Sequence, residues 1–286
     1  LDRLQEEKQI TRAGLFNQVT KSLNESDTPP FDFAIVDEAQ DIGIAALQFL
    51  CALGTRYPDS LFFTGDLGQR IFQQPYSWKS VGVDIRGRSQ TLKINYRTSH
   101  QIRQQADRLL PSTLADVDGN KEERRHTVSV FNGPIPQIEI CDDETEETQH
   151  VSSWLAEQIE SGLQPDEIGV FVRSKEQMTR AIVSIKGADA TPAELDDQLT
   201  PAQGRIAVST MHLAKGLEFR AVVVMACDDE VVPLQERIET ISDEADLEEV
   251  YTTERHLLYV ACTRARDQLL ITGVDPASEF LDDLDV

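Results

Sequence analysis

Residues 33–41 read FAIVDEAQD, a short apolar run that stops on two adjacent carboxylates, Asp37 and Glu38. Short apolar runs with branched side chains are typical of strands buried in a parallel sheet. NTPases present a metal-binding carboxylate and a water-activating carboxylate at the end of such a strand, although acidic residues also commonly cap strand ends. The phosphate-gripping sequence GxxxxGK[ST] is missing, because no glycine of the chain is followed by lysine. The residues therefore predict half of an ATP site.

The chain alternates between short apolar runs and longer amphipathic segments. The predicted strands are Phe31–Val36, Ser60–Thr64, Thr91–Ile94, Thr127–Phe131, Ile138–Ile140, Ile168–Val172, Ile206–Ser209, Ala221–Met225 and Leu269–Thr272. The predicted helices are Leu1–Leu23, Ile44–Leu53, Ser99–Leu110, Glu147–Ser161, Lys175–Ile185 and Glu244–Arg266. The polar stretch Gly187–Gly204 indicates a loop. This alternation predicts an α/β protein with parallel sheets and helices on both faces.

Length and hydropathy favour two domains in a cytoplasmic protein. A chain of 286 residues is long enough for two domains that each bury a core. No apolar stretch approaches the roughly 20 residues that span a bilayer, and the N-terminus lacks the order of a signal peptide. We therefore expect no membrane association. The chain begins with Leu1 and its first methionine is Met178, so we expect it to be a fragment of a longer protein or a processed product.

The formal net charge of −23 argues superficially against a nucleic-acid partner, because phosphate binding usually shows as a basic face. The acidic residues are concentrated in Cys141–Glu147, Ile238–Glu249 and Glu279–Val286, whereas Lys79–Arg108 is basic. Net charge bears on solubility and steering rather than on fold. A local basic groove on an acidic body is compatible with this composition.

A second apolar run, Ser60–Thr64, leads into the sequence GDLGQRIF at Gly65–Phe72. Ligands of parallel sheets bind at the carboxyl ends of the strands, so we expect Gln69 near Asp37 and Glu38. A neutral amide in that place can sense a γ-phosphate or orient water without changing the local charge. The alternative is a solvated glutamine in a Gly-Asp turn.

Two later segments supply cations. LKINYRTS contains Tyr96 and Arg97, and YVACTRA contains Arg264. A guanidinium offers paired donors that match phosphoryl oxygens, and a tyrosine ring offers a flat face to a base. Arg97 and Arg264 are therefore candidate cations for the charge that develops in phosphoryl transfer. Taken alone, NYR is a common tripeptide of surface helices.

The ordered series DEAQD, GDLGQRIF, LKINYRTS, TMHLAKGLEF and YVACTRA resembles motifs II to VI of superfamily 1 helicases of the UvrD/Rep/PcrA type. The resemblance covers Phe31 to about Gly273, nearly the whole chain. It implies a RecA-like (P-loop NTPase) fold, in which residues 1–90 form the C-terminal part of a first lobe and residues 91–286 form a complete second lobe. It also implies ATP and Mg²⁺ as cofactors and single-stranded DNA as a partner.

The matched motif positions imply roles in hydrolysis for five residues. Asp37 would hold the magnesium ion, and Glu38 would be the base that polarises the attacking water. Gln69 would contact the γ-phosphate and couple its presence to DNA binding. Arg97 and Arg264 would be arginine fingers.

Other matched positions imply binding roles. Tyr96 would stack on the adenine, Gly216 and Glu218 would approach the phosphates and ribose, and His212 would face the nucleic-acid strand. Trp78 follows the third motif near the place where the family keeps a base-stacking aromatic residue. Base stacking tolerates any sequence, which suits a motor that steps along arbitrary DNA. A buried structural tryptophan is the alternative, because Gln73-Gln74-Pro75 is inserted before Trp78.

The chain departs from the family in two places. Without the phosphate-gripping loop, we expect these 286 residues to hydrolyse ATP negligibly by themselves. The large helical insertion that the family carries between its fourth and fifth motifs is also missing, since Gly187–Gly204 is too short to hold it. That absence leaves open whether the parent protein unwinds duplexes or only translocates.

The leading hypothesis is the motor portion of an ATP-dependent 3′-to-5′ DNA helicase or translocase, within a parent that carries the phosphate-gripping loop. Fusion of this motor to a nuclease domain outside these residues is left open. The first alternative is a degenerate helicase-like scaffold, which would have no need of chemically competent residues at Asp37, Glu38 and Arg97. The second alternative is a motor of the same fold that acts on RNA.

Overall fold

The computed structural model describes residues 9–26, 30–54, 59–71, 77–83, 85, 87–115, 119, 121–123, 127–195, 203–241 and 243–284. The chain divides into two compact units. The first comprises Leu1–Thr91 with Thr113–Glu122, and the second comprises Leu92–Ser112 with Glu123–Val286. The interpretation of residues 1–90 and 91–286 as two motor lobes stays a prediction.

The elements are numbered in chain order. The strands are β1 Ala34–Val36, β2 Leu61–Phe63, β3 Ile94–Asn95, β4 Thr113–Ala115, β5 Lys121–Glu123, β6 Val128–Ser129, β7 Gln137–Cys141, β8 Ile168–Val172, β9 Pro192–Glu194, β10 Ile206–Thr210, β11 Phe219–Val224 and β12 Ala265–Val274. The α-helices are α1 Arg12–Asn24, α2 Ile44–Leu53, α3 His100–Ala106, α4 Glu144–Glu160, α5 Met178–Gly187, α6 Gln235–Glu239, α7 Glu244–Cys262 and α8 Glu279–Leu284.

The first unit contains a two-stranded parallel sheet of β1 and β2, in which Val36 lies opposite Phe63. Helices α1 and α2 pack together, and the rings of Phe16 and Phe49 lie 5.4 Å apart. The outer face of the sheet is open to solvent, because Ile35 is 80% and Phe62 61% exposed. The prediction of a buried strand is therefore wrong for that face, since the described residues supply no more than these two strands of the sheet.

The second unit is built on a six-stranded sheet in the order β7-β12-β11-β8-β10-β9. Every pairing in this sheet is parallel. Alternate residues of a strand point to opposite faces. Val170 and Val172 belong to a core cluster with Trp154 of α4 and Ile185 of α5. This cluster covers the first face of the sheet.

The second face of the sheet is also covered. Phe171 is fully buried, and its ring lies 5.9 Å from that of Phe219 in an edge-to-face arrangement. Helix α7 contacts β11 and β12 on the sheet, and α3 contacts β12. Phe171 alternates with Val170 and Val172, so its side chain lies on the face away from α4 and α5. We place α7 on this second face of the sheet. The prediction of an α/β fold with parallel strands and helices on both faces is confirmed.

Two local predictions need correction. The Gly187–Gly204 stretch was predicted as a loop, but it contains β9, whose residues Pro192–Glu194 pair with Ile206–Val208 of β10. Edge strands tolerate proline because one side of the strand needs no partner. The strand predicted at Thr91–Ile94 is reduced to Ile94–Asn95. The inserted residues Gln73–Pro75 lie outside the described residues.

Candidate functional site

The carboxyl ends of β1 and β2 bring their polar residues to one edge of the sheet. The Thr64 amide donates to the carbonyl oxygen of Val36 at 2.8 Å, and the Ala39 amide donates to that of Thr64 at 2.8 Å. Asp37 therefore lies level with Thr64. Its Oδ1 accepts hydrogen bonds from the Thr64 hydroxyl and from the Glu38 amide. Thr64 is a residue that the sequence did not single out.

Glu38 has a left-handed backbone, with φ 54° and ψ 42°. Glutamate seldom adopts this conformation, and such residues cluster where a side chain must be held in a particular direction. Gln40 holds that carboxylate, because its Nε2 donates to Glu38 Oε2 at 2.5 Å. Gln40 is only 5% exposed. Because it is buried and bonded to the Glu38 carboxylate, we count Gln40 as part of the site.

Gln40 also connects Glu38 to the loop after β2. Its Oε1 accepts from the Asp66 amide at 3.0 Å, and the Asp66 carboxylate accepts from Gln69 Nε2 at 3.0 Å. A Cβ at Gly65 would approach Gln40 Oε1 to 2.5 Å, so a side chain there would displace the Gln40 amide from its present position. The chain of contacts Glu38, Gln40, Asp66 and Gln69 shows that these two loops are joined at one edge. The roles of Asp37, Glu38 and Gln69 stay predictions.

The residues at this edge fit a magnesium ion. Mg²⁺ is commonly held by one or two carboxylates together with substrate phosphates and water. The hydrogen bond from Thr64 and then that from the Glu38 amide lower the pKa of Asp37, which keeps this carboxylate ionised at neutral pH. Within the described ranges, no cluster of three or more His, Cys, Asp or Glu side chains could hold a metal ion. A magnesium ion at Asp37 would therefore need further ligands, such as phosphate oxygens and water.

Trp78 packs against β2. Its ring lies 5.1 Å from that of Phe63 in an edge-to-face arrangement, and the residue is only partly buried. The ring is therefore held by the protein while part of it remains open to solvent. This arrangement is compatible with both interpretations of Trp78, the structural one and the base-stacking one.

In the second unit, Tyr96 and Arg97 lie in a turn that Asn95 shapes. Asn95 Oδ1 accepts hydrogen bonds from the amides of Arg97 at 2.8 Å and Thr98 at 3.3 Å. Asn side chains commonly bond the backbone two residues further on in such turns, and Tyr96 in this turn is 71% exposed. Arg97 Nε donates to Glu218 Oε2 at 3.0 Å. Two predicted site residues that are far apart in sequence are therefore in contact.

Arg264 occupies a different environment. It is 1% exposed, and its guanidinium donates from Nε to the carbonyl oxygen of Val260 at 3.0 Å and from Nη1 to that of Leu217 at 3.3 Å. In this conformation Arg264 fastens the Gly216–Glu218 segment to the end of α7. Gly216 has φ +81°, a conformation that L side chains rarely adopt. The role of Arg264 as an arginine finger stays a prediction.

His212 lies in a 3₁₀ turn, Met211–Leu213, that follows β10 and packs against α7. The imidazole is half-buried. Burial and then the charge of Arg173 lower the pKa of His212, while Glu254 opposes them and Arg237 adds to them. The lowered pKa favours the neutral imidazole in the protein without nucleic acid.

The second unit has a buried ionic cluster that the sequence did not reveal. Glu254 of α7 is fully buried and accepts two hydrogen bonds from the guanidinium of Arg173, at 2.5 and 2.6 Å. Arg237 Nη1 donates to the same carboxylate at 2.8 Å. Burial raises the pKa of Glu254, but the hydrogen bonds and charges of the two arginines outweigh it, so the pKa is lowered.

The chain is similar to helicases of the UvrD type. Comparison with known protein families confirms the predicted resemblance, because residues 181–275 match the family described as the UvrD-like helicase C-terminal domain. This stretch contains His212, Gly216, Glu218 and Arg264. The matched region therefore lies wholly within the second unit.

Individual relatives carry helicase names. The chain is 24% identical over 260 residues to a protein named "Probable DNA helicase" from Mycoplasma pneumoniae, covering 88% of this chain and 45% of that protein. It is 27% identical over 174 residues to the ATP-dependent DNA helicase PcrA of Leuconostoc citreum, covering 61% and 20%. It is 23% identical over 334 aligned positions to the ATP-dependent DNA helicase UvrD2 of Mycobacterium bovis, covering 83% and 47%. The chain thus spans less than half the length of each of these relatives.

Among solved structures, the C-terminal domain of a possible DNA helicase from Lactobacillus plantarum WCFS1 is similar, with a TM-score of 0.46 and 21% identity. The match covers 67% of this chain and 94% of that domain. A search of the described helices finds none that is both long and apolar enough to cross a membrane.

Proposed function

We propose that this chain is the motor portion of an ATP-dependent DNA helicase or translocase that moves 3′ to 5′ along single-stranded DNA. The observation that carries the proposal is the arrangement at the end of β1. The Asp37 carboxylate accepts from the Thr64 hydroxyl, Glu38 has a left-handed backbone, and buried Gln40 orients the Glu38 carboxylate. The oriented carboxylate of Glu38 beside Asp37 supports hydrolytic chemistry over a scaffold.

The side chains of the first unit support a division of labour. Asp37 offers a carboxylate ligand for Mg²⁺, and a magnesium ion bound there would neutralise charge on phosphate oxygens. Glu38 accepts a proton from the attacking water, and Gln40 orients its carboxylate for that role. Gln69, connected to Glu38 through Asp66 and Gln40, senses the γ-phosphate.

The side chains of the second unit support binding and charge stabilisation. Arg97 supplies a guanidinium whose exposed part faces solvent, and Arg264 supplies a second one once its bond to Leu217 is released. Tyr96 offers its exposed ring to adenine. Gly216 and Glu218 lie on the segment that Arg264 holds, and they approach phosphate and ribose. His212, and Trp78 in the first unit, contact the nucleic-acid strand.

The test uses the full-length protein that contains this chain. Its ATPase rate is measured with and without single-stranded DNA, for the wild type and for Glu38→Gln. We expect DNA-stimulated hydrolysis in the wild type and a loss of about 10²- to 10⁴-fold in the variant, as for removal of a general base. Asp32→Asn, an exposed carboxylate nearby, is the control. A Glu38→Gln protein that keeps the wild-type rate would overturn the proposal.

Direction and substrate need a separate experiment. Streptavidin is bound to a biotin at either end of an oligonucleotide, and its displacement by the full-length protein is followed with ATP. We expect faster displacement from the 5′ end, because a 3′-to-5′ motor runs toward it, and weaker ATPase stimulation by RNA of the same sequence. Faster displacement from the 3′ end contradicts the direction. The 286-residue chain, which has no GxxxxGK[ST] sequence, is expected to hydrolyse ATP negligibly by itself.

A further inference from the structure

The connection between β10 and β11 crosses the second sheet in very few residues. Both strands are parallel to β8, which lies between them. The connection therefore starts at the carboxyl edge of the sheet and ends at the amino edge. Residues Met211–Glu218 make this return, whereas crossover connections between parallel strands generally take a dozen residues or more. A connection this short cannot absorb a displacement of one end by changing its own conformation. A shift at one end therefore moves the other end.

Helix α7 runs beside this connection and is tied to it at the amino edge. Arg264, two residues beyond α7, donates to the carbonyl oxygen of Leu217 at 3.3 Å. The Phe219 amide donates to the carbonyl oxygen of Arg264 at 3.0 Å. Glu254 lies ten positions before Arg264, about 15 Å along the helix axis. The helix therefore reaches from the amino edge toward the carboxyl edge of the sheet.

At the carboxyl edge, Glu254 links α7 to two other segments, the residue after β8 and the start of α6. Arg173, directly after β8, makes the two-pronged ion pair with it. Arg237 of α6 donates at 2.8 Å, and the Leu234 amide, just before α6, donates at 3.3 Å. Two guanidinium groups on one carboxylate leave the cluster with one net positive charge. Removal of the carboxylate would leave both cations without this partner.

The strand register places His212 next to the cluster. Thr210 of β10 lies opposite Val172 of β8, so Met211 is level with Arg173 and His212 follows directly. Met211 is fully buried, and its 3₁₀ turn packs on α7. The charges of Arg173, Glu254 and Arg237 all act on His212. The two ends of the connection are thus attached to one helix, through Arg264 at one edge and beside Glu254 at the other.

We propose that Glu254 is a positioning residue for His212. By holding Arg173 and Arg237 against α7, it fixes the His212 turn to the same rigid helix that Arg264 attaches to Leu217. A displacement at the Arg264 end then moves His212 together with α7. This inference rests on the proposed function, because it assigns the path between the nucleotide-binding and nucleic-acid-binding residues of the second unit.

The first experiment compares the DNA stimulation of ATP hydrolysis in the full-length wild type, Glu254→Gln and Glu248→Gln. Glu248 lies on the same helix and is exposed, so its substitution makes the same charge change without touching the cluster. We expect the ratio of stimulated to basal rate to fall about 5- to 150-fold in Glu254→Gln, the usual span of coupling between two sites. The apparent KM for single-stranded DNA rises in parallel, and Glu248→Gln resembles the wild type.

A second pair of variants keeps the test open if Glu254→Gln does not fold. Arg237 is 36% exposed, so Arg237→Gln weakens the cluster more gently, and Arg237→Lys retains the charge. We expect the stimulation ratio to fall in Arg237→Gln and to recover in part in Arg237→Lys. Folded variants of Glu254 and Arg237 with the ratio of Glu248→Gln would overturn the inference.

A spectroscopic measurement separates this inference from the proposed function. The imidazole proton resonances of the 286-residue chain are recorded by NMR, and His212→Gln identifies the His212 signal. Glu254→Gln, or Arg237→Gln in its place, is expected to shift this signal, and Glu248→Gln to leave it unchanged. A full-length wild type without DNA stimulation contradicts the proposed function, whereas an unmoved His212 signal contradicts the positioning role.

Discussion

Arg97 Nε donates to Glu218 Oε2 across 3.0 Å, and this ion pair joins residues that are 121 positions apart in sequence. Both side chains are 46% exposed, so solvent screens the pair and its contribution to stability is below about 1 kcal/mol. The pair therefore orients Arg97 more than it stabilises the fold. Glu218 holds the guanidinium at the surface, which suits the proposed exchange of this partner for an incoming phosphate.

The first prediction concerns this arginine. Arg97→Lys keeps the charge but loses the planar pair of donors that matches phosphoryl oxygens. In the full-length protein we expect kcat for ATP to fall on the order of 10³-fold, the lower end of the effect of an arginine finger. The urea midpoint of unfolding is expected to stay unchanged. Arg88→Lys, an exposed arginine paired with Asp59, is the control, and an equal kcat in both variants would contradict the prediction.

The edges of the sheets could be predicted from the sequence, because apolar runs that end in polar residues mark the carboxyl ends of strands. This logic located Asp37 and Glu38 near Gln69, and the contacts through Gln40 and Asp66 join their two loops. It could not reveal the exposed face at Ile35, because the composition of a strand does not say which neighbours cover it.

Side-chain pairs that form between distant segments could not be predicted in this way. Glu254 and Arg173 are 81 positions apart, and nothing in either local sequence distinguishes a buried ion pair from two solvated charges. The burial of Arg264 is of the same kind. Val260 and Leu217 accept its hydrogen bonds through their backbone carbonyl oxygens. Every residue has such an oxygen, so the residue types at these positions do not indicate the contact.

The second prediction concerns a buried carboxylate on the first face of the sheet. Glu147 of α4 is fully buried and accepts from the Ala226 amide at 2.9 Å and the Thr272 hydroxyl at 2.6 Å. It also pairs with Arg180 of α5, which is itself buried. Glu147→Ala leaves that guanidinium short of one partner. We expect a loss of about 3–5 kcal/mol in the free energy of unfolding, measured by urea denaturation.

A control for this prediction lies one turn earlier on α4. The Glu144 side chain is 73% exposed and lies 3.9 Å from Arg180. Glu144→Ala therefore also removes one carboxylate, but it does not take a close, buried partner from the Arg180 guanidinium. We expect its effect to remain within about 0.5 kcal/mol. Equal losses in the two variants would show that burial of Glu147 contributes nothing special.

The third prediction follows from the lowered pKa of His212, which burial causes first and Arg173 second. An unfolded histidine has a pKa of about 6.5. Because the folded pKa lies below that value, the stabilising contribution of neutral His212 is complete above the unfolded pKa and is lost as the pH falls through the folded one. We expect the wild type to lose more stability between about pH 7.5 and about pH 5.5 than His212→Gln. Parallel losses in the two proteins, measured by urea denaturation, would contradict this.

The last prediction distinguishes the two interpretations of Trp78. The ring packs edge-to-face on Phe63 at 5.1 Å and is partly open to solvent. If it stacks on a base, Trp78→Ala weakens the binding of single-stranded DNA by about 1–3 kcal/mol, and Trp78→Phe recovers part of the loss. Binding is measured by fluorescence anisotropy of a labelled oligonucleotide with the full-length protein. In the 286-residue chain with Trp154→Phe, Trp78 is the remaining tryptophan because the sequence contains two, and its fluorescence also reports on added DNA directly. We expect the emission to be quenched when DNA is added. The structural role would be established instead by two results: unchanged emission, and a Trp78→Ala variant that unfolds more readily yet binds DNA normally.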